Sequence, residues 1–140
     1  MRGLRRSRRV DKLAALQGVY REWERGSYSA GLELYDPEMT LEVHNPIPDA
    51  GVYEDLEGLQ QYMRRFLATW DEYELELLEM RADGDHVIAH IRHRGLGRSS
   101  GARVEMTYCT VWTFQGSRAI RVDIAQKEDV ALQAARSTIL

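Results

Sequence analysis

Residues 73–94 read YELELLEMRADGDHVIAHIRHR, and their periodicity is the strongest indication of the fold. Polar and apolar residues alternate on both sides of an Asp-Gly-Asp segment at 83–85. Such alternation is typical of a half-buried strand, and an Asp-Gly pair favours a tight hairpin turn. The pattern therefore predicts two antiparallel strands, at 73–81 and 86–94.

The extended pattern continues toward the C-terminus. A Gly/Ser-rich turn at 95–101 precedes a predicted strand at 103–114, which is rich in Val, Thr, Tyr and Trp. A Gln-Gly-Ser turn at 115–117 leads into a further strand at 118–126. A short helix at 129–136 is predicted to end the domain.

The chain ahead of residue 73 is mainly helical in its periodicity. Apolar residues at three- and four-residue spacing predict helices at 10–25 and 55–71, with Asp55 as the cap of the second. A short helix at 29–34 and a strand at 38–45 are predicted between them, and Pro46, Pro48 and Gly51 then interrupt regular structure. Helices followed by a meander indicate an α+β domain, whose curved antiparallel sheet wraps the N-terminal helices and encloses a pocket.

Composition is that of one globular domain. The chain has 140 residues, of which 44% are apolar and 29% charged. No apolar run reaches the roughly 18 to 20 residues needed to cross a bilayer, and no secretory signal is recognised, so we expect no membrane partner. Cys109 is the single cysteine, which excludes an intramolecular disulfide and a paired-cysteine metal site. A cytoplasmic location is the default expectation.

The basic charge is concentrated at the start of the chain. Five of the 19 basic residues are arginines within residues 1–9, which leaves 14 basic against 22 acidic residues beyond them. We expect a disordered arm at 1–9 and a single domain at 10–136. Binding of nucleic acid is not expected, because the arginines lack interleaved aromatic residues and the acidic body would repel a polyanion.

A series of short motifs resembles the SnoaL-like branch of the nuclear transport factor two-like superfamily. The resemblance covers residues 10–135 and implies a cone-shaped fold, a pocket and frequent homodimers. The family includes cyclases, isomerases, hydrolases, dehydratases and non-catalytic members, so the fold alone does not assign a reaction. The supporting segments are Glu24-Arg25-Gly26, Tyr35-Asp36-Pro37, Val52-Tyr53, Leu56-Glu57-Gly58, Gly84-Asp85-His86-Val87, Gly95-Leu96-Gly97, Ser100-Gly101, Val111-Trp112-Thr113-Phe114 and Ala131-Leu132.

In this sequence, the positions of the family's catalytic residues are occupied by residues of other types. The steroid-isomerase positions fall on Val19, Val43 and Thr107. The epoxide-hydrolase positions fall on Ile91, His93 and Ile124. Asp123 is adjacent, but strand alternation directs it with Arg121 to the face opposite Ile124. These departures predict a pocket without the usual isomerase or hydrolase groups.

Two residues remain as candidates for acid–base chemistry. His93 shares a strand face with Ala89 and Ile91, and its pKa range suits proton transfer; it could equally be a strand-end residue bonded to a neighbour. Glu105 could act at the pocket mouth or pair with a cross-strand arginine, Arg92 or Arg94. We assign no metal and no cofactor. The predicted pocket-lining residues are Val19, Tyr20, Val43, Asn45, Tyr62, Trp70, Ile91, Thr107, Cys109, Val122 and Ile124, with Trp23 and Phe66 assigned to core packing.

Two functions remain open at this point. The first is a pocket that binds a small hydrophobic molecule without catalysis; the alternative is a cyclase- or isomerase-like enzyme in which His93 or Glu105 transfers a proton. Apolar residues on the other face of the 103–114 strand predict a homodimer interface. Those residues are Met106, Tyr108, Thr110, Trp112 and Phe114.

Overall fold

The computed structural model describes the backbone of residues 2–137 and the side chains of residues 12–137. Its elements occur in the order helix, strand pair, helix, four strands, helix. They are α1 (Arg2–Glu24), a single 3-10 turn (Leu32–Leu34), β1 (Tyr35–Val43), β2 (Gly51–Glu54), α2 (Asp55–Ala68), β3 (Trp70–Asp83), β4 (His86–Gly97), β5 (Arg103–Gln115), β6 (Arg118–Ala125) and α3 (Glu128–Ser137).

The six strands form one sheet in the order β2-β1-β6-β5-β4-β3. The predicted α+β class is confirmed, and the meander from β3 to β6 is antiparallel as expected. The pairing of β1 with β6 is parallel, so the sheet is mixed and not wholly antiparallel. Parallel neighbours require a long crossover, which α2 and the β3–β5 meander supply.

Local boundaries differ from the sequence prediction at several places. Helix α1 begins at Arg2 and not, as predicted, at residue 10; arginine and leucine are good helix formers and no proline interrupts them. The short helix predicted at 29–34 is reduced to one turn. Strand β2 was not predicted, because Pro46, Pro48 and Gly51 were expected to interrupt regular structure. Beyond the prolines the chain nevertheless pairs with β1, with Tyr53 opposite Leu41.

Helix α2 begins where the sequence predicts. Asp55 has φ 59°, outside the helical region, and its Oδ1 accepts a hydrogen bond from the Gly58 N–H at 2.9 Å. This is the interaction by which a capping carboxylate satisfies a free N–H at a helix start. The helix ends at Ala68, earlier than predicted, because the chain turns to start β3 at Trp70.

The indole of Trp70 explains a glycine in β4. A Cβ atom built on Gly95 would lie 2.4 Å from Cε3 of Trp70, so the ring packs directly on the glycine backbone. Close contact of this kind is a common reason for glycine inside a strand.

Two hydrophobic cores lie on opposite faces of the sheet. The larger core joins the inner sheet face to α1 and α2 through residues such as Leu16, Tyr20 and Leu59. The smaller core lies under α3 and joins Ala131 and Ala135 to the other face of β4, β5 and β6. The helices therefore cover both faces of the sheet. No helix within residues 2–137 is long and apolar enough to cross a membrane.

The faces of β5 are the reverse of those predicted. Ile91 is opposite Tyr108 and His93 is opposite Met106, and directly opposed residues share a face. The inner face of β5 therefore carries the five residues expected to form a dimer interface: Met106, Tyr108, Thr110, Trp112 and Phe114. The homodimer stays a prediction, but these five residues cannot form its interface because they lie on the inner face.

The reversal has a physical reason. Residues 108–114 are buried without exception, because α1 and the inner core cover one face and α3 covers the other. A strand buried on both faces is apolar on both, so its alternation carries no information about which face is inside.

Candidate functional site

A cavity of about 120 Å³ lies between the inner face of the sheet and helices α1 and α2. Its wall is almost entirely apolar and aromatic, as in typical small-molecule pockets. Six of the seven tyrosines of the chain line it. These are Tyr20, Tyr28, Tyr35, Tyr62, Tyr73 and Tyr108, accompanied by Trp23, Phe66, His93, Thr110 and Trp112.

An aromatic cluster on α1, β1 and β5 forms part of the cavity wall. Trp112 donates its Nε1–H to the Tyr20 hydroxyl at 3.0 Å, and Tyr35 stacks on Trp112 at a centroid distance of 5.6 Å. Burial raises the pKa of Tyr20 and of Tyr35 above the ordinary tyrosine value. Both phenols therefore stay neutral at physiological pH and act as hydrogen-bonding groups, not as bases.

A second wall comes from the loop that follows α1. The Trp23 indole donates to the carbonyl oxygen of Ala30 at 3.0 Å, which folds the loop back onto the helix. The Tyr28 hydroxyl donates to the carbonyl oxygen of Tyr73 at 3.1 Å, on the free edge of β3. Both donors line the cavity, so the same contacts shape the loop and close the site.

His93 is the one imidazole that lines the cavity among the described residues. Its ring is enclosed by Phe66, Tyr73 and Tyr108, at centroid distances of 5.9, 5.3 and 4.7 Å. Both ring nitrogens are buried and have no hydrogen-bond partner. Burial lowers the pKa of His93 to about 4, so the ring is neutral at pH 7 and presents one donor and one acceptor.

No Asp, Glu, Lys or Arg side chain among residues 12–137 lines the cavity. His93 therefore has no charged partner in the site, and the only other titratable groups there are phenols. An isolated neutral imidazole can exchange a hydrogen bond or a proton with a ligand, but no charged side chain among residues 12–137 lines the cavity to balance a charge formed on that ligand.

The structure brings about half of the predicted site residues to the cavity. Six of them line it: Tyr20, Tyr62, Ile91, His93, Val122 and Ile124. Val19 and Val43 are buried near it but do not line it. Asn45 is exposed, and Trp70 packs on Gly95 outside the wall. Their exclusion follows from side-chain direction, which spacing alone does not define.

Three predicted residues lie on the opposite sheet face, because the faces of β5 were reversed. Glu105 is exposed and accepts a hydrogen bond from the Arg94 Nε–H at 2.8 Å, so it is a cross-strand partner and not a pocket acid. Thr107 is exposed on the same face. Cys109 lies in the core under α3, where burial raises its thiol pKa to about 12.

The sequence analysis also missed part of the wall. Trp23 and Phe66, assigned to core packing, line the cavity, as do Tyr28, Tyr35 and Tyr73. The available signal was compositional: tyrosines on several inward-facing elements indicate a wall with polar tips, because a phenol in a closed core needs a partner.

A polar cluster lies on the outer face of β1 and β6. Asp123, fully buried, accepts hydrogen bonds from Arg121 Nε at 3.0 Å and Nη2 at 2.9 Å, and its Oδ1 lies 3.0 Å from His44 Nε2. Arg121 Nη2 also donates to Glu42 at 2.6 Å. Asp123 is thus turned away from the cavity, as strand alternation predicts.

Among residues 12–137, two groups of side chains have donor atoms close enough to hold a metal ion: Glu42 with His44 and Asp123, and His90 with Cys109 and Glu128. In each group an arginine already bonds the carboxylates. Arg121 contacts both acids of the first, and Arg81 lies 2.6 Å from Glu128 in the second. The guanidinium supplies the positive charge that a cation would bring, so we assign no ion.

Comparison with known proteins places the chain in a family. The sequence profile of the SnoaL-like domain matches residues 16–122. No curated protein sequence matches the chain. A nuclear transport factor two-like protein of Burkholderia thailandensis is similar in structure, with a TM-score of 0.74 and 21% identity over 89% of this chain and 96% of that one.

Two further solved structures share the fold. TerC, co-crystallised with polyporic acid, has a TM-score of 0.70 and 14% identity, over 91% of this chain and 98% of that one. A protein of Jannaschia sp. described as a SnoaL-like polyketide cyclase has a TM-score of 0.71 and 16% identity, over 94% of each chain. With the profile match over most of the domain, these likenesses lead to one conclusion: the chain belongs to the SnoaL-like domain family.

Proposed function

We propose that this protein binds a small hydrophobic molecule in the cavity between the sheet and helices α1 and α2. The observation that carries the proposal is the cavity itself, about 120 Å³ of space inside an aromatic wall. The atoms that line an unfilled space lack packing partners on one side, which forgoes favourable contacts. A ligand that fills it recovers the missing contacts.

The wall suits an apolar ligand for a second reason. Its tyrosines and tryptophans have rings that face the space and polar atoms that mostly bond to the protein, as Trp23, Tyr28 and Trp112 do. Ligand affinity would then come from ring contacts, with a few polar groups fixing orientation. That the similar fold of TerC was crystallised with polyporic acid supports the use of this scaffold for a small organic molecule.

Binding is expected to depend on the volume of the cavity. Benzene added near saturation should raise the melting temperature of the wild-type protein by about 3 °C, since ligand binding to the folded state stabilises it. Val122→Phe fills part of the cavity from β6 and should abolish the shift. Val52→Phe makes the same change at an exposed position and should leave the shift intact. A wild-type protein that does not respond, or a Val122→Phe variant that responds equally, would refute the proposal.

Catalysis by proton transfer is the second candidate function. The observation that favours it is the unpartnered His93 in the cavity. Glu105 no longer contributes, because it lies on the opposite sheet face. The low pKa of His93 makes it a weak base, and no cationic side chain among residues 12–137 lines the cavity to stabilise an enolate, so binding ranks first.

Exchange of carbon-bound hydrogen separates the two functions. If His93 is a general base, the protein should accelerate deuterium exchange at the α-carbon of cyclohexanone in D₂O, and His93→Phe should remove an acceleration of about 10²-fold or more, as measured by NMR. The Val52→Phe variant serves as the control. Exchange at the uncatalysed rate with wild-type protein would eliminate the enzymatic alternative for this class of ketone.

A further inference from the structure

We infer that the part of the ligand held in the cavity is a single uncharged ring bearing a hydroxyl group, which hydrogen-bonds to His93. This inference rests on the proposed binding function and specifies the chemical class of the ligand. It draws on the size of the cavity, on the charges around it and on the unsatisfied atoms in its wall.

The size of the cavity limits the ring system. A dry apolar cavity of roughly 150 Å³ in another protein binds one benzene molecule. The cavity here has about 120 Å³, so it accommodates one six-membered ring and not a fused system. Further parts of a larger molecule would have to extend beyond this space.

The absence of charge in the wall limits the ionisation of the ligand. Among residues 12–137, no basic side chain lines the cavity that could pair with a carboxylate, and no acidic one lines it that could pair with an ammonium group. An ion transferred from water into an apolar site without a partner is strongly disfavoured. An ionised ring compound should therefore bind more weakly than its neutral counterpart.

The unsatisfied nitrogens of His93 define the polar group. Buried polar atoms in native proteins almost always have a partner, and both ring nitrogens here have none within the described structure. A neutral imidazole offers one donor and one acceptor, and a hydroxyl group can pair with either because it both donates and accepts. The ring remains neutral at pH 7, so it does not require an anionic ligand.

Tyr108 is placed to take part in the same contact. Its ring is perpendicular to that of His93 at 4.7 Å, and its hydroxyl donates only to the Met106 sulfur, at 3.1 Å. A thioether is a weak acceptor, so this bond is readily exchanged for one to a ligand oxygen. A ligand hydroxyl could then donate to His93 and accept from Tyr108.

Three one-ring probes test the inference: benzene, phenol and benzoate, titrated calorimetrically at pH 7. Wild-type protein should bind phenol about tenfold more tightly than benzene, the factor that one net hydrogen bond supplies. Benzoate, which is ionised at this pH, should bind at least tenfold more weakly than benzene. In His93→Phe the preference for phenol over benzene should fall to about twofold or less, while benzene still binds.

One further variant tests the contact with Tyr108, and another serves as a control. Tyr108→Phe should reduce the phenol preference about threefold, and His90→Phe, on the opposite sheet face, should leave it unchanged. Equal binding of phenol and benzene by wild-type protein, or binding of benzoate as tight as that of phenol, would overturn the inference and leave the proposed function standing. Failure of all three probes to bind would refute the proposed function itself.

Discussion

Replacing Asp123 with asparagine is expected to lower the free energy of unfolding by about 3 to 5 kcal/mol, the usual cost of breaking a buried ion pair from one side. Asp123 is fully buried and accepts two hydrogen bonds from Arg121. The amide that replaces it has no charge and turns a donor toward a guanidinium that is itself only 14% exposed. Arg121 would retain Glu42 as its one anionic partner.

Urea unfolding followed by tryptophan fluorescence measures this loss. Glu76→Gln is the matched control, because it removes a charge from an ion pair with Arg92 at 3.1 Å in which the Glu76 side chain is 52% exposed. Exposed pairs contribute about 0 to 1 kcal/mol, so the control should stay close to wild type. If Asp123→Asn and Glu76→Gln destabilise the protein by the same small amount, the polar cluster on the outer face of β1 and β6 does not stabilise the fold as proposed.

Mild acid is expected to destabilise the wild-type protein more than His93→Phe, by about 2 kcal/mol between pH 7 and pH 5. Burial lowers the pKa of His93 from 6.5 in the unfolded chain to about 4 in the folded one. Within that interval the unfolded state takes up a proton that the folded state does not. The contribution is therefore complete above pH 6.5 and is lost as the pH falls toward 4.

The choice of pH 5 isolates His93. The ion pair with Arg81 holds the pKa of Glu128 at about 2, so that carboxylate begins to lose its contribution only below its ordinary value of 4.5. The pKa of His86 is also lowered by burial, but His86 is present in both proteins and its effect cancels. Equal losses of stability in the two proteins would show that His93 is not held neutral by its surroundings.

The same substitution links stability to function. A phenylalanine at position 93 removes two unsatisfied buried nitrogens and fits among Phe66, Tyr73 and Tyr108. We expect it to be at least as stable as wild type at pH 7, because the phenylalanine ring has no polar atom that needs a partner. If histidine at this position proves less stabilising than phenylalanine, that result would support the proposed ligand contact over a role in core packing.

Much of the architecture follows from local pattern. The Asp-Gly-Asp turn and the alternation around it define the β3–β4 hairpin, and the apolar stripe with Asp55 at its start defines α2. The orientation of Asp123 away from the cavity follows from the alternation of β6, whose inner residues Val122 and Ile124 line the wall. His93 was likewise placed from the alternation of β4.

Other features were not determined locally. The parallel pairing of β1 with β6 joins segments about 80 residues apart, so it depends on the path of the intervening chain and not on either strand. Strand β2 is short and irregular in composition, and it exists because β1 offers a free edge. The placement of α3 on the outer face, which creates the second core, is also a consequence of long-range packing.

Periodicity, turn chemistry and composition were enough to predict the α+β class, the order of every element except β2 and an aromatic character for the cavity wall. Which face of β5 is inside depends on tertiary contacts. Tyr108, Thr110 and Trp112 line the cavity, whereas Cys109 and Val111 lie under α3. Both sets are apolar since both faces are covered, and register with β4, not hydrophobicity, determines which set lines the cavity.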